Sequence, residues 1–135
     1  MSPAAVRATL AGLKKSRPKR PAALVRSDCP LACTLDLLGD KWTLLVVRDL
    51  LLGRRRYGDF VASPEGIPTN ILAERLKRLE QAGLLEKTAY QENPVRHEYV
   101  PTAACLDLKP VLFAAAEWGN KHIPGTRTDW PRAKA

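Results

Sequence analysis

The chain has 135 residues, 45% hydrophobic and 27% charged, with a formal net charge of +8. This size gives one domain with an arm or tail and enough apolar residues for a core. The apolar run over 44–52 is short and broken by Arg48 and Asp49, which excludes a membrane span, and no hydrophobic signal core follows the first basic residues, so a cytoplasmic protein is expected.

The charge is unevenly placed. Residues 1–28 carry seven Lys or Arg against Asp28, and residues 124–135 carry Arg127, Arg132 and Lys134 against Asp129. The stretch 29–123 balances. Basic arms favour a polyanion such as DNA, although a solvated tail would look the same. Cys29, Cys33 and Cys105, with only His97 and His122 beside them, make neither a disulfide framework nor a zinc set. Reduced thiols, with no metal and no cofactor, are expected.

In chain order, Val6, Leu10 and Leu13 recur at helical spacing, and the Pro-rich basic stretch 16–21 then breaks any helix. Residues 1–28 therefore read as a flexible arm that could follow a phosphate backbone or enter a minor groove. Leu31, Leu35 and Leu38 mark the first helix of the domain, which Gly39 ends. Residues 41–52 are apolar nearly all round and read as the central buried helix, stopped by Gly53. The triplet Arg54-Arg55-Arg56 follows in a turn. A short helix fits 58–63, and 63–66 is a turn.

The stretch 67–83 has two faces. Ile71, Leu72, Leu76, Leu79 and Ala82 form an apolar stripe, and Asn70, Ala73, Glu74, Lys77 and Gln81 lie opposite. Pro68 signals the start and Gly83 the stop. A helix with one greasy face and one small, polar, partly basic face fits a DNA major groove. Beyond Gly83 the period changes. Residues 84–90 read as a strand, 91–95 as a loop and 96–100 as the returning strand, with Val95 able to join it. Thr102 can cap a final helix with Val111, Leu112, Ala115 and Trp118 on one face. Pro110 should kink or break it. Residues 124–135 read as a tail. The predicted class is mainly α with a small β-hairpin, a winged helix-turn-helix over 29–123.

Cys29-Pro30 and the run Thr34-Leu35-Asp36-Leu37-Leu38-Gly39-Asp40-Lys41-Trp42-Thr43 resemble the opening of the HxlR-type winged-helix transcriptional regulators. The similarity continues through Arg48-Asp49-Leu50, Arg56-Tyr57-Gly58-Asp59-Phe60, Gly66-Ile67-Pro68-Thr69-Asn70-Ile71-Leu72, Arg75-Leu76, Leu79-Glu80, Gly83-Leu84, Arg96-His97-Glu98-Tyr99 and Pro110-Val111-Leu112. It covers about 29–122, leaving the arm outside. Pro101 and Cys105 stand where the family often has Leu and Gly. The resemblance implies a bacterial homodimer on a near-palindromic double-stranded DNA operator, expected to be a repressor. The terminal helices would form the dimer interface, here through Leu31, Leu35, Val111, Leu112, Ala115 and Trp118. Some members sense oxidants or electrophiles through a cysteine that matches Cys29.

The candidate DNA-reading residues are Thr69, Asn70, Ala73, Glu74, Lys77 and Arg78. Asn reads adenine, Lys reaches guanine or phosphate, and Ala permits close approach. Glu74 could accept from cytosine or pair with Arg78 one turn on. Arg54, Arg55, Arg56 and Arg96 are candidates for the backbone or wing, with one or two of the triplet touching phosphate. Arg96 could equally pair with Glu92 or Glu98. Cys29 precedes a helix N-terminus and lies near Arg26, which favours a thiolate, whereas Asp28 opposes it. Cys33 and Cys105 read as packing residues, and Trp42 and Trp118 as core or interface aromatics. No motif pairs a nucleophile with a base and no phosphate loop is present, so an enzyme is not expected. The alternative is a winged-helix protein-interaction module that never binds DNA.

Overall fold

The structure, a computed structural model, describes residues 26–126. The arm expected over 1–28 lies almost wholly outside the described residues, as does most of the tail expected over 124–135. The chain divides into two compact units after Asp40.

In the first unit, α1 spans Pro30–Leu38. Pro30 occupies the first turn, where its missing N–H would have had no partner anyway. The helix ends where the sequence predicted: the Gly39 N–H donates to Leu35 O at 2.7 Å. A Cβ on Gly39 would lie 2.4 Å from that carbonyl oxygen, so only glycine closes the helix this tightly.

The second unit carries α2 (Thr43–Leu51), α3 (Tyr57–Val61), α4 (Thr69–Gln81), β1 (Leu85–Glu92), β2 (Val95–Pro101), α5 (Ala103–Leu106) and α6 (Lys109–His122). Its centre is α2, which packs against α4, β2 and α6. Val46, Val47 and Leu50 are buried on it, whereas Leu44 and Leu45 are half-buried and Leu52 is 39% exposed. The helix expected to be apolar all round is thus central but buried on one side. It is also shorter than the expected 41–52, with Trp42 at its N-cap.

Helix α3 starts one residue before the predicted point. Asp59 reaches back to accept the Arg56 N–H at 3.1 Å, which satisfies a donor of the first turn. Phe60 is its buried anchor, 1% exposed. A turn over 63–66 closes with the Gly66 N–H on Ser63 O and leads into α4. Leu72, Leu76 and Leu79 on α4 are at most 2% exposed. Each such side chain stabilises by about 1.5–3 kcal/mol relative to exposure, so this stripe fixes which way the helix faces.

Helix α4 ends at Gly83 with φ +79°, where the Gly83 N–H meets Glu80 O and the Leu84 N–H meets Leu79 O. This left-handed closure turns the chain into the hairpin. Gly83→Ala adds no clash, but a Cβ in the left-handed region is expected to cost about 1–2 kcal/mol. Urea unfolding of the two chains measures it.

The hairpin pairs antiparallel from Leu85 with Pro101 to Glu92 with Val95, around a cis Asn93-Pro94 bond. β1 runs two residues into the predicted loop, since ladder pairing carries Gln91 and Glu92 along despite their polarity, whereas Val95 joins β2 as the sequence allowed. Thr102 does cap: its hydroxyl oxygen accepts the Cys105 N–H at 3.4 Å and donates to Gly83 O at 2.7 Å. That bond ties the far end of the hairpin to the end of α4. The closing helix is split. α5 ends at Leu106, and Pro110 lies in the first turn of α6, so the break falls just before the proline.

Candidate nucleic-acid interface

The outward face of α4 is set by the burial of its opposite face. Thr69, Asn70, Ala73, Glu74, Lys77 and Gln81 are all exposed. Arg78 is half-buried at the edge of this set, and Glu74 pairs with the neighbouring Arg75. The start of α4 is held from α3, where the Tyr57 hydroxyl donates to Thr69 O at 2.8 Å.

A charged network that the sequence did not reveal holds the turn before α4. Asp49, on α2, is 3% exposed. Its Oδ1 accepts from Arg54 Nη1 at 2.8 Å and Arg48 Nε at 3.1 Å, and its Oδ2 accepts from the Ser63 hydroxyl. Arg48 also grips Glu65 with two hydrogen bonds of 2.8 Å. The bidentate bond raises the pKa of Arg48 and holds the Glu65 carboxyl below its ordinary range. Ser63 and Glu65 belong to the turn that leads into α4, so α2 positions that helix through charge as well as through packing.

The arginine triplet divides three ways. Arg54 is drawn to Asp49. Arg55 turns Nη1 onto Leu50 O at 2.8 Å and Arg54 O at 2.9 Å, so it is spent on backbone carbonyls. Arg56 lies over the ring of Tyr90 in β1, 3.8 Å from its centroid. Arg96 is exposed on β2, opposite Gln91.

The residues expected at a dimer interface also divide. Leu31 and Leu35 on α1 are 64% and 52% exposed, and Val111 and Trp118 on α6 are 42% and 61% exposed. Leu112 corrects the expectation, for it turns inward and is buried. With Ala115 it lines an apolar groove of about 290 Å³, shared with Leu44, Leu45, Arg48 and Ala116.

Cys29 is exposed at the N-cap of α1. Cys33, expected to be a packing residue, is half-buried, and its thiol donates to Ser27 O at 3.2 Å. Cys105 is buried, and burial pushes its thiol up to about 11. Native protein treated with a maleimide at neutral pH should label Cys29 and leave Cys105 unmodified until denaturant is added. Mass mapping of the adducts decides, and Cys105 labelled at the rate of Cys29 would contradict it.

A short helix, a turn, an outward-facing helix and a hairpin wing define the second unit as a winged helix-turn-helix. The chain belongs to the HxlR-like helix-turn-helix family, whose model matches residues 37–127. An uncharacterized HTH-type transcriptional regulator of Mycobacterium bovis is 39% identical over 90 residues, which are 67% of this chain and 56% of that protein. The chain thus accounts for little more than half of that relative's length. The reduced form of the transcriptional regulator YodB from Bacillus subtilis superposes with a TM-score of 0.62 at 28% identity, covering 75% of this chain and 100% of YodB. The redox regulator HypR in its reduced form gives 0.64 at 28% identity, covering 69% of this chain and 92% of HypR.

Proposed function

We propose that the chain is a sequence-specific DNA-binding transcriptional regulator that acts as a homodimer on a near-palindromic operator, as a repressor. The observation that carries this reading is the exposed row Thr69, Asn70, Ala73, Glu74 and Lys77 on a helix whose other face is locked in the core. Family membership supports it. In this reading Asn70 and Lys77 meet base edges, Arg78 joins them at the margin, and Arg54 and Arg96 meet the phosphate backbone. Leu31, Leu35, Val111, Ala115 and Trp118 face the second copy. Residues 29–123 form the binding and dimerisation domain between a basic arm and a tail.

The experiment is fluorescence anisotropy with labelled duplex DNA, in which affinity should fall steeply and linearly with the logarithm of salt concentration. An absence of binding to any duplex even at low salt removes the reading and favours the protein-interaction module.

Cys29 as a thiol switch is the finer part of this proposal. It is supported by the exposure of that residue at the head of α1 and by the likeness to HypR, a redox regulator. Operator affinity that is unchanged after peroxide or quinone treatment removes it.

A further inference from the structure

Tyr90 is an irregularity in the hairpin. Ala89 pairs with His97 and Gln91 pairs with Arg96, which leaves Tyr90 as the extra residue of a bulge. Bulges re-aim a side chain, and they recur beside functional sites. Here the ring lies under the Arg56 guanidinium, 3.8 Å from its centroid. Glu98, on the other strand, places a carboxylate 3.7 Å from the same guanidinium. Arg56 is itself fixed at the N-cap of α3, where its N–H donates to Asp59. A second tie runs alongside: the Tyr99 N–H donates to Arg55 O at 2.7 Å, and the Tyr99 ring meets Phe60 edge-on with centroids 6.1 Å apart. The arginine turn is therefore joined to both strands of the wing.

We infer that Tyr90 is a positioning residue for nucleic-acid binding, and that Arg56 is the strut through which it fixes the wing against α3, not a phosphate ligand. The inference rests on the DNA-binding reading above. A hairpin held only at its base would have to be ordered when DNA arrives, and that ordering weakens binding. A wing already held by the Arg56–Tyr90 stack avoids this loss. The benefit cannot exceed the strength of the stack, which for a partly exposed cation–π pair is about two- to fivefold in an equilibrium constant. A direct phosphate contact behaves differently, since its loss also lowers the slope of log affinity against log salt by about 0.9.

The test uses the full chain and a labelled duplex carrying the sequence it enriches from a random library. Arg56→Ala and Tyr90→Ala should each weaken binding about two- to fivefold, and the double variant should be no weaker than either. The salt slope should stay unchanged. Tyr90→Phe, which keeps the ring face, should restore affinity, whereas Tyr90→Leu should not. In the free chain, hydrogen exchange of the wing amides should quicken in Tyr90→Ala and stay slow in Tyr90→Phe. A lowered salt slope in Arg56→Ala, with Tyr90→Ala binding normally, would overturn the inference. So would wing exchange that ignores Tyr90. A wild-type chain that binds no duplex would overturn the DNA-binding reading instead, and the exchange measurement would still decide whether the strut exists.

Discussion

Asp49→Ala should lower the free energy of unfolding by about 3 kcal/mol, the low end of what breaking a buried ion pair costs. Asp49 is 3% exposed and accepts from Arg48, Arg54 and Ser63. Its loss leaves the Ser63 hydroxyl and one side of Arg48 without their acceptor, and the Arg48 side chain is only 11% exposed. The cost stays at the low end because Arg48 keeps Glu65, and because Arg54, at 38% exposure, can turn to water. Asp49→Asn should cost less, since its amide oxygen still accepts from Ser63. Chemical denaturation of the three chains measures the series. A loss within about 0.5 kcal/mol, the range of ordinary surface substitutions, would mean that the network does not hold the turn.

Acid acts on the same network. The Glu65 carboxyl is held below its ordinary range by Arg48. A lowered folded pKa contributes stability that is present above the unfolded value of 4.5 and is lost as pH falls through the folded value. The chain should therefore lose stability below pH 4.5, and Glu65→Gln should flatten that part of the pH profile.

The second large effect concerns recognition. Asn70→Ala with Lys77→Ala should lower affinity for the operator by about a hundredfold, since each good base contact is worth about 1–3 kcal/mol. Affinity for random DNA should change far less, because non-specific binding rests on phosphate contacts made elsewhere. Both residues are exposed on α4, and neither packs in the core, so the unfolding midpoint should hold. Anisotropy titrations against operator and scrambled duplexes give both numbers. A double variant that still separates the two duplexes would move the reading face to another part of the molecule.

The face of α4 was legible because its code is local. Leu72, Leu76 and Leu79 repeat at helical spacing between a proline start and a glycine stop, and the structure buries those three. The wing was legible from the change of period after Gly83. Its length was not, because Gln91 and Glu92 carry loop chemistry, and only pairing with β2 holds them in the ladder. The Asp49 network was invisible for a different reason. In sequence, Arg48 and Asp49 merely interrupt an apolar run, and the partners Ser63 and Glu65 lie 14 and 17 residues further on. The arginine triplet shows the same limit. Three adjacent cations look alike in sequence, and their different fates depend on Asp49, on the carbonyls of Leu50 and Arg54 and on a bulged tyrosine in the wing.

The proposed function stands or falls on the outer face of α4 reading DNA sequence. Selection of bound duplexes from a random library, run in parallel with the wild-type chain and the Asn70→Ala, Lys77→Ala chain, tests it most directly. The wild type should enrich a near-palindromic motif with half-sites about one helical turn apart, and the double variant should enrich none. The same motif recovered by both chains, or by neither, would contradict it.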